Sequence, residues 1–210
     1  TTGANLGLDF SILHSRISGT IEVYRTTTHD LLLKRSLPAI SGYSTIFDNV
    51  GKVANKGLEV TLVTRNIQTG QFSWTTNWNF SMNRNKIVSL YGDKKDDIGN
   101  KWFIGKPLYA VYDYKMAGVW QEGEDASKSD PGAKPGDLKF ADVNGDSVIT
   151  EADKIYQGTN LPKWIGGLLN TFSYKHFNLS IFIQTNQGAI VNNKLLDISV
   201  YGGRINQPSQ

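Results

Sequence analysis

Twelve residues, Phe72 to Asn83, constrain this chain more than any other stretch. Even positions read Phe, Trp, Thr, Trp, Phe, Met, and odd positions read Ser, Thr, Asn, Asn, Ser, Asn. A period of two held over that length describes a β-strand with one apolar and one polar face, because successive side chains point to opposite sides of the pleat. Leu58 to Arg65 alternates in the same way, with Glu59, Thr61 and Arg65 opposite Leu58, Val60 and Leu62. The link Asn66–Gln71 contains Thr69-Gly70 and reads as a hairpin turn.

The design recurs on both sides. Leu6 to His14 places Leu6, Leu8, Phe10 and Ile12 on one face; after Ser15-Arg16, Ile17 to Thr26 sets Ile17, Ile21 and Val23 against Ser18, Thr20 and Glu22. Near the other end, Trp164 to Tyr174, the turn Lys175-His176, and Phe177 to Gln184 form a third hairpin, with Phe177, Leu179, Ile181 and Ile183 opposite Asn178, Ser180 and Gln184. The sequence therefore predicts three antiparallel hairpins, six strands of roughly nine to twelve residues each.

Two environments produce such strands. In a soluble sandwich the apolar face meets a second sheet. In an outer-membrane barrel it meets lipid and the polar face meets a wet lumen, with strands of about 9–11 residues. Three features favour the barrel. The strands exceed the usual length of about 5–6 residues. The aromatics Phe72, Trp74, Phe172, Tyr174 and Phe177 gather near the short turns, where an interfacial girdle would lie. Links alternate between short (15–16, 66–71, 175–176) and long (35–54, 84–163). The segment Tyr109–Trp120 also reads as a strand. A single extra crossing there would move the Lys175-His176 turn to the long-loop side, so the segment is assigned to the 84–163 insertion.

Composition locates the insertion and excludes several functions. Of 19 Asp and Glu, 13 fall between Arg84 and Lys163, whereas only 12 of 22 Lys and Arg do. The net charge of +3 is too small to argue for nucleic acid. With no Cys, disulfides, thiolate metal sites and cysteine nucleophiles are excluded. No apolar run approaches the ~20 residues of a membrane helix. Thr1–Asn5 shows no charged region followed by an apolar core, so no signal peptide is expected there. His14, His29 and His176 are far apart and fit no triad or zinc spacing. Glu122, Glu124 and Asp125 sit in a polar run and read as solvated charge rather than paired glycosidase acids. No catalytic residue is expected.

One segment has ligand spacing. Asp142, Asn144 and Asp146 stand at positions 1, 3 and 5 of a twelve-residue loop, the Val148 carbonyl at 7 and Asp153 at 12, the pattern that wraps hard oxygens around calcium. Ser147 replaces the glycine expected at position 6, and Asp153 the bidentate Glu. The other reading is an Asx-rich turn that bonds its own backbone, with Thr150 capping a short helix. Trp102, Tyr109, Tyr112 and Trp120 are candidate stacking residues for a ligand, although packing within the insertion is their first expected use.

Asn49-Val50-Gly51-Lys52-Val53-Ala54-Asn55-Lys56-Gly57-Leu58-Glu59 resembles the N-x-G-x-x-x-N-K-G-x-E strand motif of TonB-dependent receptors. Pro135 to Asp146, Gly158 to Pro162, and Tyr174 to Ser180 are similar to the C-terminal barrel of the SusC/RagA branch. The resemblance implies an all-β antiparallel meander that is part of a transmembrane outer-membrane β-barrel with a long extracellular loop insertion. It divides the chain into barrel strands over 1–83 with an extracellular loop at 35–54, an extracellular insertion over 84–163 carrying the 142–153 loop, and over 164–210 a hairpin and the start of another extracellular loop. It further implies nutrient import (glycans, oligosaccharides or peptides) across a Bacteroidetes-like outer membrane. The implied partners are a SusD-like surface lipoprotein, outer-membrane lipid, and the TonB complex acting through the plug and TonB box, which are expected outside this stretch. Glu59, Thr61, Arg65, Asn77 and Asn79 would face the lumen or the plug. The rival expectation is a soluble secreted β-sandwich that binds glycans, with the Asp142–Asp153 loop as its calcium site.

Overall fold

Short turns between two-faced segments leave each strand no neighbour nearer than the next, and the sheet follows from that. The computed structural model describes residues 1–36, 42, 45–91 and 94–191. The strands are β1 (Thr2–Ile12), β2 (Ile17–Ser36), β3 (Thr45–Gln68), β4 (Phe72–Ser89), β5 (Ala110–Tyr114), β6 (Met116–Val119), β7 (Leu138–Phe140), β8 (Lys154–Thr159), β9 (Trp164–Tyr174) and β10 (Phe177–Gln187). Six of them form one antiparallel sheet in the order β1-β2-β3-β4-β9-β10. The β1–β2 turn holds Leu13, His14 and Ser15 at φ of 51°, 55° and 62°, and Lys175 in the β9–β10 turn sits at 54°. Positive φ matches a tight turn to the right-handed twist of its flanking strands.

Register fixes the faces, since residues directly opposite on antiparallel strands share a side. Leu6↔Val23↔Leu58↔Met82 and Leu8↔Ile21↔Val60↔Phe80 are two continuous rows. Further across, Trp74↔Phe172↔Leu179 and Trp78↔Leu168↔Ile183 continue the apolar face. Near the short turns Trp74 stacks on Phe172 with centroids 5.5 Å apart, and its indole N–H donates to Asn170 Oδ1 at 3.0 Å. Thr76 also donates to that oxygen at 2.7 Å, and Asn66 donates to the Thr76 hydroxyl at 2.7 Å. Indole N–H groups find such partners when their rings sit on an apolar surface.

Nothing among the described residues packs over this face. Leu6 is 72% exposed, Leu8 61%, Leu179 57% and Phe177 78%. A soluble sandwich would cover these residues with a second sheet, so that expectation is not met.

Strands β2, β3 and β4 have 20, 24 and 18 residues, longer than expected. β2 and β3 stay in one register from Ile17↔Thr64 to Thr28↔Val53, slip at bulges about Leu31, and continue paired to Ser36↔Thr45. The loop expected at 35–54 is therefore strand from Thr45 onward. The bulges break the period of two, which is why alternation did not reveal the continuation. Residues 37–41 and 43–44 of that loop, and 192–210 beyond β10, lie outside the described residues.

The insertion between β4 and β9 folds on itself. Tyr109–Trp120 divides into β5 and β6, which pair with β8 and β7 and not with the large sheet. At the long-loop end, Val53, Ile87 and Leu90 are buried on the polar-face side beneath Leu31, Tyr91, Trp102, Ile104 and Leu108. The chain at 104–106 lies beside β4: Gly105 donates to the Ile87 carbonyl at 2.8 Å and Ile87 N–H donates to that of Lys106 at 2.9 Å.

Candidate functional site

The polar face is the first candidate. Glu59↔Ser81, Thr61↔Asn79, Val63↔Asn77 and Arg65↔Thr75 place all five residues expected at the lumen on one face, opposite the apolar rows. Thr20 donates to Asp9 on the same face at 2.7 Å. Two glycines keep this surface flat. A Cβ on Gly57 would lie 2.2 Å from Cζ of Tyr24, so the ring crosses β3 at this glycine and its hydroxyl accepts from Asn83 Nδ2 at 2.8 Å. At Gly167 a Cβ would lie 2.9 Å from the amide of Asn79. Sequence reading missed Tyr24 and Gly57. The signal available was an aromatic at a polar-face position together with a glycine inside a strand, which marks close approach of another group.

Where the insertion meets this face, Asn55, Ser81, Asn83, Asn85 and Tyr109 help to line a cavity of about 420 Å³. Tyr109 is 59% exposed, the only one of the four candidate stacking residues so open. Trp102 belongs to the cluster over Val53 and Ile87. Tyr112 packs on Phe103 with centroids 4.9 Å apart. Trp120 is 7% exposed, with the Lys139 ammonium 4.4 Å from its ring centroid. Its ring has no free face for a ligand, so for Trp120 the stacking expectation is corrected to packing.

The Asp142–Asp153 loop closes through its own hydrogen bonds. Asp142 accepts from Gly145 and Ser147 N–H at 2.7 Å each, Asn144 from Asp146 N–H at 2.9 Å, and Asp146 from Val148 N–H at 2.8 Å. Asp153 is fully buried and accepts from Thr150 N–H and Val143 N–H at 2.8 Å each. These bonds, Thr150 first, outweigh burial and hold its carboxyl below the usual carboxylate range. Thr150 caps the 3-10 turn Glu151–Asp153 in a reciprocal capping box. Among the described residues no three His, Asp or Glu side chains converge as a metal site. Val148, whose carbonyl is the ligand expected at loop position 7, belongs to the same self-bonded turn.

Other charges serve the insertion. Asp97 accepts from Tyr91 Oη at 2.6 Å and from Asn100; burial opposes its ionisation, but these bonds prevail and lower its pKa. Glu124 pairs with Lys139 at 2.7 Å, a structural contact rather than an acid–base pair. His14 stands in the β1–β2 turn and His176 in the β9–β10 turn.

Comparison with known proteins gives a consistent relationship. The sequence matches the family described as TonB dependent receptor-like, beta-barrel over residues 1–192. TonB-dependent receptor P3 of Formosa agariphila is 34% identical over 210 residues, covering 92% of this chain and 21% of that protein. TonB-dependent receptor SusC of Bacteroides thetaiotaomicron is 29% identical over 197 residues, covering 88% of this chain and 19% of that protein. The structure of the RagAB peptide transporter superposes with a TM-score of 0.68 at 25% identity, over 87% of this chain and 20% of that one. The RagAB peptide importer in its closed-closed state shares the fold with a TM-score of 0.70 over 92% of this chain and 22% of that one. The chain thus spans about a fifth of the length of the curated relatives it matches.

Proposed function

This chain belongs to the TonB-dependent receptor-like β-barrel family, and from that premise we propose that it forms part of the wall of an outer-membrane transporter that imports nutrients. One observation carries the reading: a six-stranded sheet whose apolar face is open across its width, with a polar face turned the other way. In a bilayer the first face meets lipid and the second lines the lumen or meets a plug. Glu59, Thr61, Arg65, Asn77 and Asn79 then face the interior. The 84–163 insertion projects on the long-loop side, outside the cell, where it meets cargo or a SusD-like lipoprotein. The cargo class is an oligosaccharide or a peptide; the RagAB relationship supports an organic nutrient of this kind. Energy comes from the TonB complex through other regions of the full-length receptor. The host is a Gram-negative bacterium of the Bacteroidetes kind, and the chain has no catalytic role.

The intact gene product tests this directly. It should fractionate with the outer membrane, stay monodisperse only in detergent, and on deletion abolish growth on one oligosaccharide or peptide source. A full-length product that is monodisperse in plain buffer overturns the proposal.

A further inference from the structure

On the apolar side of the sheet, the row beyond Val23, Leu58 and Met82 is Arg25↔Lys56↔Arg84, three cations directly abreast on adjacent strands. One step further, Thr27↔Ala54↔Lys86 adds a fourth. Like charges directly opposite repel and destabilise a sheet unless something neutralises them. No residue of these rows or of the row below is a carboxylate, and among the described residues none of the four cations is in ion-pair contact with one. Among the described residues, Arg84 donates to the backbone carbonyls of Asn83 and Lys163. The four side chains, with Gly105 and Pro107, help to line a hollow of about 590 Å³.

Height along the wall identifies what fills it. Trp74, bonded to Asn170 near the short turns, marks one interface. Arg84 lies ten residues further along β4. At about 3.3 Å per residue and a tilt of about 40°, that is roughly 25 Å of height, the thickness of the apolar band of an outer-membrane barrel. The cations therefore stand at headgroup level on the long-loop side and point outward, away from the lumen. We propose that Arg25, Lys56, Arg84 and Lys86 form a binding site for the phosphate groups of an outer-leaflet lipid. Guanidinium and ammonium groups bind phosphate through charge-assisted hydrogen bonds, and the hollow admits a headgroup. The inference rests on the barrel reading above, which supplies the bilayer and its orientation.

The full-length receptor in phosphatidylcholine nanodiscs doped with monophosphoryl lipid A provides the test, with bound lipid counted by native mass spectrometry. Phosphorylated lipid should be retained over its dephosphorylated form, less so at high salt. Each Arg→Gln or Lys→Gln change should weaken binding about fivefold, and R25Q/K56Q/R84Q on the order of 100-fold. Millimolar inorganic phosphate should leave the lipid in place. Equal retention by the triple variant, indifference to the lipid phosphate, or displacement by free phosphate overturns the inference. If the triple variant loses the heat-modifiable mobility of a folded barrel, Lys56→Gln alone decides, with Lys56→Arg expected to restore binding. A receptor that does not enter discs at all overturns the barrel reading; one that enters and ignores the phosphate overturns only this proposal.

Discussion

A single hydrogen atom at Gly57 lets the Tyr24 ring lie across β3 and reach Asn83, because a Cβ there would overlap the ring at 2.2 Å. Gly57→Ala should displace the ring and cost about 1–3 kcal/mol in the thermal or denaturant unfolding of the intact receptor in detergent. Tyr24→Phe removes only the hydrogen bond and should cost about 1 kcal/mol, so the difference between the variants measures the clash. Asp153 makes a different kind of prediction. Its folded pKa is depressed, so its contribution is complete above the ordinary carboxylate pKa and is lost as pH falls through the lowered value. Amide protection at Val143 and Thr150, corrected for intrinsic exchange, should fall over that acid window, and Asp153→Asn should remove the pH dependence. Because the loop closes on its own N–H groups, calcium should leave the receptor's melting temperature unchanged; a rise reversed by EGTA would assign an ion to Asp142, Asn144, Asp146, Val148 and Asp153.

Strands succeed or fail as units. Asn170 accepts from both Trp74 and Thr76 and so ties β4 to β9 near the short turns. At girdle level water can replace the lost acceptor, so Asn170→Leu should cost only about 1 kcal/mol in unfolding of the full-length receptor. A loss of several kcal/mol would place this row inside the hydrocarbon, where an unsatisfied donor is far dearer. The hairpins were legible in the sequence because alternation such as Phe72–Asn83 is local and needs no partner. The upper halves of β2 and β3 were not, since the bulges at Leu31 put the pattern out of phase. Nor was the pairing of β5 with β8, short strands joined only after some forty residues. Within the candidate site, alternation could sort Glu59, Thr61, Arg65, Asn77 and Asn79 onto one face. It could not show that Tyr24 reaches Asn83, or that Arg25, Lys56 and Arg84 stand abreast, because cross-strand neighbours are set by register between distant segments.

At the scale of the molecule, the open apolar face goes together with the two outer strands, β1 and β10, which among the described residues have one neighbour each in the sheet. The six sheet strands among the described residues fall short of the eight or so that a closed barrel needs, and unpaired edges template aggregation. Residues 1–210 expressed alone should therefore collect as insoluble protein and show no heat-modifiable mobility after refolding into detergent, whereas the full-length receptor should show it. The insertion bears on how such a wall assembles. β4 must find β9 across residues 90–163, a long loop to close before any contact rewards it. The bonds of Ile87 to Gly105 and Lys106 remove the first part of that loop, and the Ala110↔Thr159 pairing removes most of the rest. Once both have formed, the chain between β4 and β9 is short in effect. Formation of the insertion before β9 docks would then turn the slowest pairing in the sheet into a nearly local step, with refolding slowed by changes that weaken β5–β8 even where final stability barely moves.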